Sequence, residues 1–191
     1  MSLSQDPAAD KLLSTDPLAL LIGMVLDQQV PLEWAFKAPL LLEERLGRSL
    51  DAAELASMDP EELTELFCRR PALHRFPAAN AKRVQALCRI IVDEYAGRAD
   101  RIWKKAADGA ELLRRVKALP GFGEQKARIF VALLGKQLGV QPPGWEKAAG
   151  DYGRAGSFIS IADIDGPESL ARVRRYKQQK KAAAKAARTT T

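Results

Sequence analysis

The sequence predicts an all-α protein, and three observations carry the prediction. Ala and Leu are abundant while aromatics make up only 6% of the 191 residues, a balance that favours helix. Apolar residues recur at helical spacing, as at Val84, Leu87, Cys88, Ile91 and Val92. No segment gives a convincing alternating strand. With 47% apolar and 28% charged residues, the chain has enough apolar surface for a core, and its length makes one domain the default.

Asp16-Pro17 opens a helix whose residues Leu18 to Leu26 are apolar nearly all round, the mark of a helix in the middle of a helical domain. It turns polar at Asp27-Gln28-Gln29, and Pro31 interrupts the chain just beyond. Residues 32–46 read as the next helix, then Ala52 to Met58 and Pro60 to Cys68, with Asp51 and Asp59 placed to cap them. Asn80 to Tyr95 is strongly amphipathic, and Glu111 to Ala118 carries a stripe of Leu112, Leu113 and Val116. After Pro120-Gly121-Phe122-Gly123, Glu124 to Leu138 resumes the helix with Ala127, Phe130, Val131, Leu134 and Leu138 on one face. Trp145 to Ala149 reads as one turn, and residues 150–160 as irregular. Pro167 to Ala187 reads as a final helix rich in Lys, Arg and Ala. The expected division is an extension over 1–16, a helical domain over 17–171, and a basic helix or tail over 172–191.

Charge is unevenly distributed. Residues 1–66 hold 4 basic and 13 acidic side chains; residues 67–171 hold 18 and 11; residues 172–191 hold 8 and none. A chain with its positive charge on its second half and tail is suited to a polyanion, although a solvated surface has the same composition. Cys68 and Cys88 form no CxxC pair and His74 is the single histidine, which excludes a four-cysteine zinc site or iron–sulfur cluster. Two isolated thiols fit a reducing cytoplasm, the N-terminus lacks the pattern of a signal peptide, and Leu18 to Leu26 is too short to span a bilayer.

The most informative stretch is Glu111 to Leu138. Two amphipathic helices are joined by Leu119-Pro120-Gly121-Phe122-Gly123. Glycines permit positive φ and remove side chains from an approaching surface. The amides that open the second helix are then free to meet an anion, with Lys126 and Arg128 near enough to support a phosphate contact. An ordinary αα-hairpin has the same outline.

Taken together, several segments resemble the helix-hairpin-helix DNA glycosylase superfamily, the group of endonuclease III and 3-methyladenine glycosylase II. Leu26-Asp27-Gln28-Gln29-Val30 is similar to the family's glutamine-containing turn, and Ala81-Lys82-Arg83 to Tyr95 with the hairpin after it matches the family's order. The resemblance covers roughly Pro17 to Leu138. It implies a helical bundle of the glycosylase type that binds double-stranded DNA with a damaged base. Gly121, Phe122, Gly123, Gln125, Lys126 and Arg128 would lie at the DNA, with Gln29, and Gln28 beside it, filling the gap left by an extruded nucleotide.

The resemblance also implies chemistry. Bifunctional members carry a lysine where this chain has Gln125, so a monofunctional enzyme is expected, with water as the nucleophile; Lys126 is one residue off, about 100° around the helix. The family's aspartate falls here at Pro142-Pro143-Gly144-Trp145, where there is no acid. The nearest candidates are Asp151, set in Gly150-Asp151-Tyr152-Gly153, and Glu146; Asp151 is preferred, and both fit equally well as surface acids. Trp145, Tyr152 and Trp34 are candidates to stack on an extruded base, or to be core. Arg69, Arg70 and Arg75 form a basic loop with His74, to which no role is assigned. No iron–sulfur cluster is expected, since the region after the hairpin lacks cysteine, while a monovalent cation beneath the hairpin carbonyls is implied. A monomer in the cytoplasm, associated with the nucleoid and not with membrane, completes the expectation.

Overall fold

The computed structural model describes residues 1–189. Eleven helices occur among them: α1 (Pro7–Thr15), α2 (Pro17–Leu26), α3 (Leu32–Leu46), α4 (Ala52–Ser57), α5 (Pro60–Cys68), α6 (Pro77–Tyr95), α7 (Arg101–Lys104), α8 (Gly109–Lys117), α9 (Glu124–Gln137), α10 (Trp145–Ala149) and α11 (Pro167–Thr189). Short 3-10 turns cover Gly150–Gly153 and Ile161–Asp163, and no strand occurs among the described residues. The protein is all-α. Of the expected basic tail, residues 190 and 191 lie outside the described ones.

Five helices start the same way. Asp6, Asp16, Asp51, Asp59 and Asp108 each accept backbone N–H groups from the first turn of α1, α2, α4, α5 and α8. The carboxylate satisfies donors that the helix leaves open and faces the positive end of its dipole. Three of these caps stand directly before a proline, in Asp6-Pro7, Asp16-Pro17 and Asp59-Pro60. The first pair opens α1, in a stretch expected to be an extension.

Two groups of helices pack around α2 and α9. Every residue of α2 from Leu18 to Leu26 is buried, with α1, α3 and α6 about it. Leu3, Ala9 and Leu13 are buried as well, so residues 1–16 pack into the core. In the second group α9 buries Ala127, Phe130, Val131 and Leu134 among α8, α10 and the turn at Ile161–Asp163. Gly135 permits the closest approach there: a Cβ on it would lie 2.4 Å from the ring of Trp145. The start of α11 is fixed by buried Leu170 and Val173, and beyond them its charged side chains are exposed as far as residue 185.

Truncating Leu13 to Ala is expected to cost about 2–5 kcal/mol, as for a fully buried leucine. Chemical denaturation checks it. A loss below about 0.5 kcal/mol is what a true extension would give.

Candidate nucleic-acid interface and base cavity

Residues 118–123 turn the chain between α8 and α9. Leu119 and Phe122 are buried, and Phe122 meets Phe130 edge-on with ring centroids 5.5 Å apart. The Phe122 amide donates to the Leu119 carbonyl at 3.2 Å, which closes the turn. Gly121 takes φ +84, and a Cβ on it would stand 3.0 Å from Cδ of Arg83, so the fold itself requires glycine there. Gly123 differs. Its φ of −77 suits any residue, and a Cβ would have no atom within 4 Å. The absent side chain leaves the surface in front of it open to an approaching partner. Gly123 is also the N-cap of α9 and offers no side-chain cap, so the first amides of α9 face outward without a helical acceptor.

Beside the hairpin stands the glutamine turn. Asp27 ends α2, its amide donating to the Gly23 carbonyl at 3.0 Å, and the Gln28 amide donates to Leu26 at 2.7 Å. Gln29 then adopts φ +60, left-handed and unusual for a side chain of this size. His74 holds the turn. Its Nδ1 accepts from the Phe76 amide at 3.0 Å and from Asn80 Nδ2 at 2.8 Å, so the ring proton sits on Nε2, which donates to the Gln28 carbonyl at 2.9 Å. Burial, reinforced by the charges of Arg83 and Arg75, lowers the His74 pKa against the opposing pull of the backbone bonds. The ring therefore stays neutral, as two donors on Nδ1 require. Arg83 spans turn and hairpin, donating to Gln28 Oε1 at 3.3 Å and Asn80 Oδ1 at 3.1 Å while its stem lies under Gly121. Gln28 and Gln29 are left exposed.

Between the end of α2 and the start of α9 opens a cavity of about 660 Å³. Buried Met24, Ala149 and Ile161 form its floor, and exposed Asp151, Lys177 and Lys180 its rim. The wall at Ile159–Ile161 is held by a buried polar group. Lys136 pairs with Asp163 at 2.6 Å, and Asp163 accepts the amides of Ile159 and Ser160 at 3.0 and 3.1 Å. Tyr152 stands on the opposite wall, where Gln125 Nε2 donates to its hydroxyl at 2.9 Å. Tyr176 of α11 lines the cavity too.

Two charged side chains share its interior. Lys126 turns away from the hairpin surface: its Nζ donates to the Met24 carbonyl at 2.8 Å, with the Val25 carbonyl at 3.5 Å, so it ties α9 to the end of α2. Burial lowers its pKa, opposed by the charge of Asp27. Burial raises the pKa of Asp27, opposed by Lys126 and Lys177. Among the described residues the Asp27 carboxylate takes no hydrogen bond and no ion pair.

The expected site residues are thus distributed unevenly. Gln125, Lys126, Arg128, Asp151 and Tyr152 line the cavity. Arg128 is committed to the fold, bonding Glu124 at 2.7 Å and the Ala148 carbonyl at 2.9 Å. Asp151 is 79% exposed, with Arg154 at 3.8 Å as its nearest cation. Glu146, Trp145 and Trp34 do not line the cavity. The Trp145 ring covers Gly135, and Trp34 Nε1 donates to the Ala72 carbonyl at 3.1 Å, bracing the loop that carries His74. Arg69, Arg70 and Arg75 are exposed on that loop. Asp27 and His74 are site residues that sequence reasoning missed. An acid ending an otherwise apolar helix was a signal for Asp27; nothing in the sequence links His74 to a turn 46 residues earlier.

An uncapped helix start behind a glycine hairpin, with a glutamine turn and a cavity beside it, makes this a helix-hairpin-helix protein. The family model described as "HhH-GPD superfamily base excision DNA repair protein" matches residues 22–190, and the chain belongs to that superfamily. No curated protein and no solved structure matches the chain. Among the described residues no helix is long and apolar enough to cross a membrane, and no group of three or more His, Cys, Asp or Glu is placed to hold a metal ion.

The two hairpin glycines are expected to separate on substitution. Gly121→Ala should lower stability by about 1–2 kcal/mol. Gly123→Val should lower stability by no more than about 1 kcal/mol, the cost of a poor N-cap, yet weaken duplex binding roughly tenfold, read by fluorescence anisotropy. Equal duplex affinity for Gly123→Val and wild type would show that the hairpin does not meet DNA.

Asp27 gives a second expectation. Its folded pKa lies above the unfolded 3.8, so the folded state binds more protons and stability falls as pH rises from 3.8 through the folded pKa. Asp27→Asn should therefore melt higher than wild type at neutral pH, with the difference vanishing towards pH 3.8. A lower melting temperature at neutral pH would mean that the ionised carboxylate stabilises the fold.

Proposed function

We propose that the protein is a monofunctional DNA glycosylase of base excision repair, acting as a monomer on double-stranded DNA that contains an alkylated or deaminated base. The observation that carries this reading is the cavity at the end of α2 and the start of α9, the helix ends that carry the glutamine turn and the hairpin, because a base extruded from a duplex gripped by both would have that opening beside it. Its size falls within the range of small-ligand sites, and Tyr152 and Tyr176 offer faces for stacking.

In this reading the outward amides of α9 hold the phosphates, and the basic stretch of α11 adds charge along the rim. Gln29, with Gln28 anchored beneath it, fills the space vacated in the stack. A water oxygen bonds to C1′ of the sugar while the base departs with the electron pair of the glycosidic bond, and the proton that the water gives up passes to the acid at the cavity mouth and ends on the released base. Asp151, the acid at the mouth of the cavity, positions that water; Glu146 points elsewhere. Gln125 offers no amine at C1′, and Lys126 is engaged with the Met24 carbonyl, which supports hydrolysis over Schiff-base chemistry. A monovalent cation held by the hairpin carbonyls belongs to the same proposal.

A second reading, a DNA-binding module without catalysis, is favoured by the high exposure of Asp151. Duplexes with single lesions, assayed for abasic sites, separate the two. The enzyme reading expects base release from at least one lesion, a loss of about tenfold or more in Asp151→Asn, and no change in Glu146→Gln. Salt-dependent binding without release of any base would leave only the binding module. The reverse ranking of the two variants would move the role to Glu146.

A further inference from the structure

The cavity interior presents a specific pattern of donors and acceptors. Asp27 lines the cavity and is less exposed than the rim residues, and among the described residues nothing bonds its carboxylate. An ionised carboxylate only accepts hydrogen bonds. Lys126 lines the same interior, and an ammonium has three protons, of which its two carbonyl contacts use at most two. One partly buried acceptor and one partly buried donor therefore remain open, from neighbouring elements, at the cavity. The surroundings are otherwise cationic: Arg128, Lys177 and Lys180 line the walls and rim, against Asp151 as the sole further acid there.

The geometry points to a neutral base whose edge carries an N–H beside a C=O, as in the deaminated bases uracil and hypoxanthine, with Asp27 accepting the N–H and Lys126 donating to the carbonyl. This rests on the glycosylase reading and narrows it, since a cationic N-alkylated base without that edge meets an excess of positive charge and leaves Lys126 unmatched. Depth supports the assignment. An extruded nucleotide enters base first, so groups behind the rim meet the base, while those at the mouth, such as Asp151, meet the sugar. Thymine and guanine carry the same edge but are held in normal pairs, and extrusion costs least for a mispaired base. Charge-assisted bonds in a partly buried site are strong enough to discriminate, because a base lacking the edge leaves a buried charge unmatched.

The test is binding, so that it does not depend on turnover. Duplexes carry a 2′-fluoroarabino nucleotide, whose glycosidic bond resists cleavage. Uracil opposite guanine is compared with 3-methyluracil, and hypoxanthine opposite thymine with 1-methylhypoxanthine; the methyl group blocks the N–H in each. A duplex with 1-methyladenine, cationic at neutral pH, is the third arm. Wild type is expected to bind the unblocked bases about tenfold or more tightly than the blocked ones and than 1-methyladenine. Asp27→Ala should erase the preference. Equal binding of blocked and unblocked bases by the wild type, or a preference for 1-methyladenine, overturns the inference whatever the variant does. Ordinary deoxyuridine and deoxyinosine duplexes then report on the enzyme reading: preference without base release sinks that reading alone, and base release without preference sinks this one alone.

Discussion

The bond from Lys126 Nζ to the Met24 carbonyl, at 2.8 Å, is the constraint on which the site depends. It joins the second helix of the hairpin to the end of the most buried helix of the protein. The last carbonyls of a helix lack a helical donor and sit at its negative end, so a buried ammonium is a fitting partner. Because of that bond, the hairpin, the glutamine turn and the cavity keep a fixed relation. The same ammonium places a positive charge near Asp27, which tempers the cost of keeping that carboxylate away from water.

Around this anchor the protein accepts local arrangements that a fold optimised for stability alone would avoid. Gln29 is left-handed without being glycine, a state it shares with Gln5 and Ala96. Helix α9 starts without the aspartate cap that five other helices carry. Asp27 is partly buried and unpaired. Each is unfavourable by itself, and all three border the cavity or the hairpin face beside it. Rules of local consistency tend to fail where a surface is shaped for a ligand and not for the chain. Elsewhere most polar groups are matched, as in the Lys136–Asp163 pair that fixes the far wall, while Gln137 Oε1 is buried without a partner among the described residues.

The division of charge takes on a structural meaning as well. Four of the acids in the first 66 residues, Asp6, Asp16, Asp51 and Asp59, cap helices. Much of the basic excess lies on the hairpin side and on α11, whose Lys177 and Lys180 reach the cavity rim. A positive field on that face attracts and orients a polyanion before contact is made.

The sequence by itself determined the helical class, nine of the eleven helices to within a few residues, and the hairpin. Those features are written in local pattern: apolar spacing, Asp caps, and glycines between two amphipathic runs. The same kind of cap marks α1 at Asp6-Pro7, while α7, four residues long, has too little pattern to show. Which side chains meet in the cavity was decided only by the tertiary structure. Lys126 looked like a phosphate contact from its place near the helix start, yet it points inward because the α2 carbonyls lie on that side. His74 supports a turn that is distant in the chain, and Trp145 covers Gly135 while Tyr152, seven residues on, lines the cavity. Periodicity tells which face of a helix is buried, but not what that face is buried against. Partners across the cavity are set by how α2, α9 and α11 cross, and that depends on the packing of the whole core.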